Sequence, residues 1–215
     1  MIKIKIIFIL ILFRSVLFSQ ERTLERNLII VKNQYTVSYN EEYEQPNWVV
    51  YRINKKDANK SKVSRKGLNF HKEKGIRTSD NLDYSHNVWD KGHFAPAADF
   101  TNSIEDLKET FSYLNCSLQH EKLNRGAWKN LESKVRIWAD SVGYVTVIDE
   151  SYFGKNHIKL ETGAHIPSIF YKHVIFPNNS SKCYRFYNTS TESWENKIIK
   201  CSKGHYKIID MLKKY

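Results

Sequence analysis

The chain has 215 residues, of which 41% are hydrophobic and 27% are charged. This length is enough for one sizeable hydrophobic core, since domains usually span about 100–200 residues, and it excludes an assembly of several large domains. The 34 lysines and arginines against 23 aspartates and glutamates favour an anionic partner such as nucleic acid, phospholipid headgroups or acidic polysaccharide, although a basic protein that is merely soluble has the same charge.

Residues 1–20 have the layout of a secretory signal peptide. Two lysines precede an apolar run over residues 6–13, and the small Ser19 stands just before polar sequence begins. The run is too short to cross a bilayer, so we expect cleavage near Ser19 and a secreted or periplasmic protein. Because Arg14 interrupts the apolar region, an uncleaved membrane anchor is the alternative. No later stretch resembles a membrane span, so no stable membrane association is expected after signal removal.

Residues 21–215 are predicted to form one mature domain. Without the three basic residues of the signal peptide, the chain has 31 basic and 23 acidic side chains, a net charge of +8. The three cysteines do not have the spacing of a zinc site. In an oxidising compartment Cys183 and Cys201 could form a disulfide that closes a short C-terminal loop, which would leave Cys116 as an odd, buried thiol.

The first half of the chain predicts one strand, a long loop and a short helix. Residues 47–53, NWVVYRI, are dense in aromatic and β-branched residues and predict a buried strand. Residues 57–82 are rich in lysine, serine and asparagine and predict a long exposed loop, of the kind that often serves in binding. After the segment WDKGHFAPAADF at residues 89–100, a helix is predicted near residues 104–110 and an extended segment at residues 111–119.

A longer helix is predicted from Asn124 to about residue 140. At 100° per residue its apolar side chains fall on one stripe, formed by Trp128, Leu131, Val135 and Trp138. Glu132 and Arg136 lie together on the flank of that stripe. Asn124 stands where the helix begins, and the free backbone N–H groups there make a local positive end.

Two central strands are predicted in the second half, at residues 142–149 and 165–176. Both segments are long, apolar and rich in β-branched or aromatic residues. The last quarter of the chain alternates short strand-like pieces with polar turns, and no internal repeat or low-complexity linker occurs. The pattern predicts a single domain of mixed α and β structure.

The segment WDKGH at residues 89–93 contains a candidate general base for phosphodiester hydrolysis. That reaction needs a group that takes a proton from the attacking water, cations that meet charge on the phosphoryl oxygens, and neutralisation of the leaving oxygen. An imidazole with the ordinary pKa of about 6.5 can accept a proton near neutral pH, so His93 is the candidate base. Gly92 is expected to allow a sharp turn and a close approach by substrate.

Asn124 is a candidate ligand for Mg²⁺. An amide oxygen is a poor zinc ligand but suits Mg²⁺, a hard ion that keeps most of its waters and needs only one or two protein oxygens. Glu132, two turns further along the predicted helix, could hold the waters of that ion. Asn124 could also serve as a helix N-cap, a role that does not exclude metal binding, and Glu132 could instead be a surface residue that pairs with Arg136 at i+4.

Cationic side chains are available to neutralise the phosphate. Lys91 and Arg136 are candidate clamps, and either Arg65 or Arg77 from the long loop could be a third. Any one of them alone is more often a solvated charge, and a lone histidine at a turn is more often structural. The functional interpretation gains weight only because these residues occur together in nearby segments.

Three separated segments resemble the DNA/RNA non-specific endonuclease family, with its ββα-metal (His-Me finger) active site. WDKGHFAPAADF is similar to the family's Asp-Arg-Gly-His turn followed by Leu-Ala-Pro-Ala-Ala-Asp. NCSLQHEKLNRGAWKNLE, with the VR that follows, is similar to its Asn-x-x-Pro-Gln segment and its Leu-Asn-x-Gly-x-Trp helix start. Order and spacing match over residues 89–136, and weaker similarity extends from residues 47–53 to residues 166–174.

The resemblance implies an α+β fold in which helices flank a central antiparallel sheet. It implies that His93 is the general base and that Asn124 is the direct protein ligand to Mg²⁺, for which Mn²⁺ can substitute. The family's supporting polar residues correspond to Asn115 and Gln119, expected to bind substrate, and to Glu132 and Arg136, expected to take part in catalysis with Lys91. The implied reaction cuts single- or double-stranded DNA and RNA at the P–O3′ bond, leaving 5′-phosphate and 3′-hydroxyl ends.

Two residues depart from the family's pattern. Lys91 replaces the signature arginine, which exchanges a planar fork for a point charge, and Leu118 replaces the proline before Gln119. The alternative function is a catalytically impaired, nucleic-acid-binding homologue of the same fold. An enzyme for another phosphodiester and a cationic protein that binds envelope polymers without chemistry are further alternatives. The sequence also leaves open whether the chain forms a homodimer.

Overall fold

A computed structural model of the chain describes residues 26–56, 62–189 and 193–201. The predicted signal peptide, residues 1–20, lies outside the described residues, as does the start of the predicted loop at residues 57–61. In the described part of the chain, no helix is both long enough and apolar enough to pass through a membrane.

A seven-stranded antiparallel sheet and a separate two-stranded ribbon contain all the strands of the described chain. The strands are β1 (Leu28–Val31), β2 (Tyr35–Asn40), β3 (Gln45–Asn54), β4 (Trp89–His93), β5 (Cys116–His120), β6 (Tyr144–Tyr152), β7 (Ile169–Ile175), β8 (Ser181–Tyr187) and β9 (Ile198–Ile199). The large sheet has the order β1-β2-β3-β6-β7-β8-β9, and β4 pairs with β5. The three strands predicted from sequence are β3, β6 and β7 at the centre of the sheet. Strand β7 begins later than predicted, after Pro167, whose nitrogen cannot donate to a ladder.

The segment WDKGH forms strand β4, where the sequence predicted a sharp turn. His93 stands opposite Cys116 in the antiparallel pair with β5. A Cβ atom at Gly92 would lie 2.5 Å from Oε1 and 2.6 Å from Cβ of Gln119, which is too close for any side chain. Gly92 is therefore needed so that the Gln119 side chain can pack on the backbone of β4, and not for a turn.

Helix α1 spans Ile104–Thr110, as predicted, and begins where the Ser103 hydroxyl accepts a hydrogen bond from the N–H of Asp106. The predicted extended segment at residues 111–119 is extended only in its second part, as β5. Its first part forms a 3₁₀ turn at Tyr113–Asn115, because the hydroxyl group of the preceding serine caps that turn.

The long helix predicted from Asn124 is interrupted at its start. A short helix α2 (Glu121–Leu123) leads through a π-helical turn, Asn124–Trp128, into the regular helix α3 (Lys129–Val142). Gly126 within the turn has φ −105° and ψ −111°, outside the helical region, so the regular helix begins five residues later than predicted. Strands β4 and β5 followed by α3 form a ββα unit.

The apolar stripe of α3 packs against the large sheet. Trp128, Leu131 and Val135 are buried, whereas Trp138 is only partly buried at the margin of the core. The indole ring of Trp128 makes an edge contact with Phe170 of β7, with centroids 5.8 Å apart. Glu132 and Arg136, on the flank of this stripe, are partly buried, and Glu132 lies near enough to Lys172 of β7 to feel its charge.

A disulfide between Cys183 and Cys201 joins β8 to the residues after β9, with Cα atoms 5.3 Å apart. Cys116 is a free thiol and is buried, and burial raises its pKa to about 12. The large antiparallel sheet with flanking helices confirms the predicted α+β class.

Candidate active site

A cleft of about 580 Å³ opens where β4 ends and α3 begins. Five of the seven site residues predicted from sequence line it: Lys91, His93, Asn124, Glu132 and Arg136. The other two, Asn115 and Gln119, do not line it. The ββα unit thus brings together two segments that are well separated along the chain.

His93 is the last residue of β4 and is half-buried. Its ring lies against Phe70 and Phe111, with centroid distances of 4.8 and 5.1 Å. The Nε2 atom is covered and has no hydrogen-bond partner among the described residues, which leaves Nδ1 as the ring nitrogen that can face the cleft. Burial, reinforced by the positive charge of Arg65, lowers the pKa of His93 to about 4. The imidazole is therefore neutral near pH 7, as a proton acceptor must be.

Asn115 is buried behind His93 instead of lining the cleft, where a substrate-binding residue would lie. Its Oδ1 accepts a hydrogen bond from the N–H of Ala95 at 2.8 Å. Its Nδ2 donates to the carbonyl oxygens of Ala95 and Thr110 at 2.9 and 3.0 Å. The side chain thus ties the segment just after His93 to the end of α1, a geometry that fits a positioning role.

Gln119 lies on β5 and is also buried. Its side chain covers the backbone of β4 at Gly92, and its amide atoms have no hydrogen-bond partner among the described residues. Gln119 contacts the strand that carries His93 from behind, so the structure does not bring it to the cleft.

Asn124 is held by Asp90, a residue that the sequence analysis did not single out. The Nδ2 group of Asn124 donates to Oδ2 of Asp90 at 2.8 Å. The same carboxylate accepts two hydrogen bonds from Arg125, from Nε at 2.8 Å and from Nη2 at 2.6 Å. Since its amide nitrogen is engaged, Asn124 keeps Oδ1 as the side-chain atom that can meet a cation. The signal that could have identified Asp90 in the sequence is an acidic residue three positions before the candidate base.

Glu132 and Arg136 lie one turn apart on α3. Burial raises the pKa of Glu132 to about 8, against the lowering effect of Lys172 below the helix. Arg136 donates to both carboxylate oxygens of Asp99, at 3.3 and 3.4 Å, and to the Ser133 hydroxyl at 2.9 Å. These bonds fix the guanidinium at the wall of the cleft.

The donor groups of the cleft fit a hard divalent cation. In the described residues, no group of three or more His, Cys, Asp or Glu side chains is arranged to hold a metal, as a zinc site would require. An amide oxygen at Asn124 with the carboxyl group of Glu132 in the same cleft suits Mg²⁺, which keeps most of its waters. The residues present therefore fit the ion that the family implies.

Lys91 lies in a box of aromatic rings. Its Nζ is 5.6 Å from the ring centroids of Phe70 and Tyr84 and 5.8 Å from that of Tyr113. The ammonium donates to Oδ1 of Asn81 at 2.5 Å, and the Tyr113 hydroxyl donates to the same oxygen at 2.7 Å. We call Phe70, Asn81, Tyr84 and Tyr113 the lysine box, which is built around a compact ammonium group.

The cleft is electropositive. Its lining contributes one carboxyl group, from Glu132, and five cationic side chains, which belong to Arg65, Lys91, Arg125, Lys129 and Arg136. Of the two arginines that the sequence left open, Arg65 lines the cleft. Arg77 does not line it, because its guanidinium pairs with Glu44 at 2.6 Å. The charge suits a phosphate-bearing substrate.

Curated proteins with similar sequences are named as nucleases. The "Nuclease" of Serratia marcescens is 33% identical over 167 residues, 72% of this chain and 60% of that protein. The "Nuclease" of Nostoc sp. is 35% identical over 115 residues, 51% of this chain and 40% of that protein. Mitochondrial endonuclease G of Bos taurus is 27% identical over 142 residues, 60% of this chain and 47% of that protein. This chain thus spans less than two thirds of the length of each of these relatives.

The fold has also been solved in another protein. A chain in the crystal structure of the EndoG/EndoGI complex superposes with a TM-score of 0.69 and 22% identity, over 80% of each chain. The sequence profile described as DNA/RNA non-specific endonuclease matches residues 15–210, which include every strand and helix of the ββα unit. The chain therefore belongs to the DNA/RNA non-specific endonuclease family.

Proposed function

We propose that the protein is a metal-dependent endonuclease that hydrolyses the phosphodiester bonds of DNA and RNA, using Mg²⁺ or, in its place, Mn²⁺. The products would carry 5′-phosphate and 3′-hydroxyl ends. One observation carries the proposal: a neutral imidazole at His93 and an available amide oxygen at Asn124 face the same electropositive cleft from the two arms of a ββα unit.

In this mechanism His93 acts as general base. Its Nδ1 takes a proton from the water that attacks phosphorus, while the covered Nε2 keeps the ring proton. The low pKa keeps the imidazole unprotonated in the resting enzyme. The rings of Phe70 and Phe111 hold the imidazole plane in place, so that little reorientation is needed during the reaction.

Asn124 and Glu132 would hold the divalent ion, Asn124 directly through Oδ1 and Glu132 through the ion's waters. A bound ion would supply positive charge that stabilises the transition state, and the departing 3′ oxygen would take a proton from solvent to give the 3′-hydroxyl end. Asp90 engages the Nδ2 group of Asn124, which would leave Oδ1 available to a bound ion. Asn115 and Gln119 support the strand and loop that carry His93, in place of the substrate contacts first expected of them.

Arg136, Arg65 and Lys91 would neutralise the phosphoryl oxygens. Arg136 offers a planar fork that Asp99 fixes from behind, and Lys91 offers a point charge fixed by the lysine box. Such contacts recognise phosphate and carry no base sequence directly, so cleavage of DNA and RNA without base preference follows from them.

We also propose that residues 21–215 form the mature domain after removal of residues 1–20, and that it acts outside the cell or in the periplasm. The Cys183–Cys201 disulfide supports this location, because such bonds persist in oxidising compartments.

The test is incubation of the mature protein with plasmid DNA and with RNA, in Mg²⁺, in Mn²⁺ and in EDTA. We expect both polymers to be cut in either metal and neither in EDTA, and we expect the DNA ends to be ligated without phosphatase or kinase treatment. Binding without cleavage in any divalent metal would instead support the catalytically impaired homologue. Failure to bind either polymer would support a cationic protein with another partner.

A further inference from the structure

A second cleft, of about 650 Å³, adjoins the candidate active site. Ala98, within the 3₁₀ turn Ala97–Asp99, lines both clefts, so they adjoin at this turn. We call the second cleft the basic groove, because its charged lining is dominated by the cations of Arg52, Lys55, Lys56 and Lys62.

The backbone that presents these cations is held in place. The N–H groups of Lys55 and Lys56 donate to the C-terminal end of α3, at 2.7 and 2.9 Å. The N–H of Val63, next to Lys62, donates to the carbonyl oxygen of Thr101 at 3.1 Å. All three lysine side chains are exposed, and none forms an ion pair with a described residue. The groove therefore presents lysines without ion-pair partners among the described residues, on a backbone that hydrogen bonds hold in place.

The acidic residues near the groove are already engaged. Both carboxylate oxygens of Glu109 accept hydrogen bonds from the backbone N–H groups of Asn33 and Gln34, at 3.1 and 2.8 Å. Asp106 accepts from the Gln34 amide at 2.6 Å. Asp99, on the turn between the clefts, is almost fully buried in its ion pair with α3. Asp99 is the acidic residue in the lining of the groove, and its pairing with Arg136 offsets the repulsion that an incoming anion would meet there.

We propose that the basic groove binds backbone phosphates of the same nucleic-acid strand whose scissile phosphate lies beside His93. The identification of the ligand as nucleic acid rests on the proposed nuclease function. The strand would cross the turn at Ala98, where a small side chain leaves room for it. The lysines have no ion-pair partner in the described part of the chain and lie beside neutral amides such as Asn54 and Asn102. This lining suits a phosphodiester backbone, which carries one negative charge per nucleotide and can be bound without any contact to the bases.

The groove variant for the test is Lys55→Ala/Lys56→Ala/Lys62→Ala. It keeps every backbone hydrogen bond described above, and it leaves Arg52 in place because that guanidinium stacks on Tyr144 at 4.5 Å. The matched control is Lys74→Ala/Lys155→Ala/Lys159→Ala, which removes the same charge from exposed lysines outside both clefts.

Binding is measured by fluorescence anisotropy with a 20-nucleotide single strand, in EDTA and over a range of salt concentrations. Removal of three phosphate contacts should lower the slope of log K against log salt by about 2 and weaken binding on the order of tenfold to a hundredfold. The control should change little. Equal losses in both variants, or no binding by the parent protein, would overturn the proposal.

Cleavage of bis(p-nitrophenyl) phosphate separates the groove from the chemistry. This diester is too small to reach the groove, so the groove variant should keep the parent's kcat/KM with it while the KM for long DNA rises. Equal loss on both substrates would overturn the proposal, since the lysines would then act through the fold. A parent protein that cuts neither substrate would refute the proposed nuclease function, whereas a selective loss of strand binding would still support the groove.

Discussion

The amide of Asn124 donates to the carboxylate of Asp90 at 2.8 Å, and this bond joins strand β4 to the π-helical turn. Replacement of Asp90 by alanine frees the amide to rotate, so Oδ1 is no longer held toward the cation. We expect Asp90→Ala to weaken Mn²⁺ binding about 10–100-fold, the usual cost of losing an outer partner of a metal ligand. Titration of Mn²⁺ followed by electron paramagnetic resonance measures this without any turnover.

Arg125→Ala is the matched control for that variant. It removes the exposed partner of Asp90 but leaves the bond between Asp90 and Asn124 in place. Mn²⁺ affinity should therefore stay within a few fold of the parent. If Arg125→Ala weakened Mn²⁺ binding as much as Asp90→Ala, the bond to Asn124 would have no special role.

His93→Ala removes the proposed base. We expect a rate loss of roughly 10²–10⁴-fold on plasmid DNA in Mg²⁺, with DNA affinity in EDTA unchanged, because the cations of the cleft are intact. His86→Asn is the control, since His86 is exposed, lies outside the cleft and has a positive φ that asparagine tolerates. Near-normal turnover in His93→Ala would remove His93 from the mechanism.

Arg65 should affect the pH dependence of the reaction. His93 must be unprotonated to act, and with a pKa of about 4 its activity should decline only as the pH falls toward 4. Burial lowers the pKa of His93, and the positive charge of Arg65 lowers it further. Arg65→Ala should therefore raise this pKa toward 6.5 and move the acidic limb of the pH profile of kcat/KM to higher pH. Arg77→Ala, whose partner is Glu44, should leave the limb in place. An unmoved limb in Arg65→Ala would contradict the coupling.

Lys91→Arg tests the lysine box. The longer, planar guanidinium cannot keep both the short bond to Asn81 and the approach to three rings that a compact ammonium makes. We therefore expect kcat/KM to fall by roughly tenfold, the equivalent of about 1.4 kcal/mol. The companion variant Asn81→Ala should lower kcat/KM in the same direction. Higher turnover in Lys91→Arg would show that the family's arginine is simply the better residue here.

A buried ion pair beneath α3 should contribute to stability as a unit. Lys172 Nζ lies 2.6 Å from Asp149 and 4.1 Å from the centroid of the Trp128 ring, and both charged side chains are fully buried. Lys172→Met would leave a buried carboxylate without its cation, so we expect the free energy of unfolding to drop by about 3–5 kcal/mol. Urea denaturation measures the change. The double variant Lys172→Met/Asp149→Leu should recover most of the loss, and failure to recover would show that packing dominates.

Patterns that depend on neighbouring residues could be predicted from the sequence. Helix α1 has the predicted bounds, and the segment 47–53 lies within β3, because apolar periodicity and β-branched composition are local properties. The placement of His93, Asn124 and Glu132 in one cleft followed from the resemblance to a family whose motifs keep their order.

Features that depend on contacts between distant residues could not be predicted. Gly92 is needed because Gln119, from another strand, lies against it, and no local pattern shows that. The late start of α3 depends on the backbone angles at Gly126, which composition does not determine. Asn115 has the polar character of a substrate ligand but is buried by the fold, where its amide completes three backbone hydrogen bonds.

The lysine box also bears on how this protein can change over generations. Its members come from three separate parts of the chain, and all of them face the ammonium of Lys91. A single exchange of Lys91 to arginine would place the guanidinium among unchanged rings and an unchanged Asn81. If the rings changed first, the ammonium of Lys91 would lose the contacts that hold it. Residue 91 and its surroundings are therefore expected to diverge together, as a coupled set of substitutions.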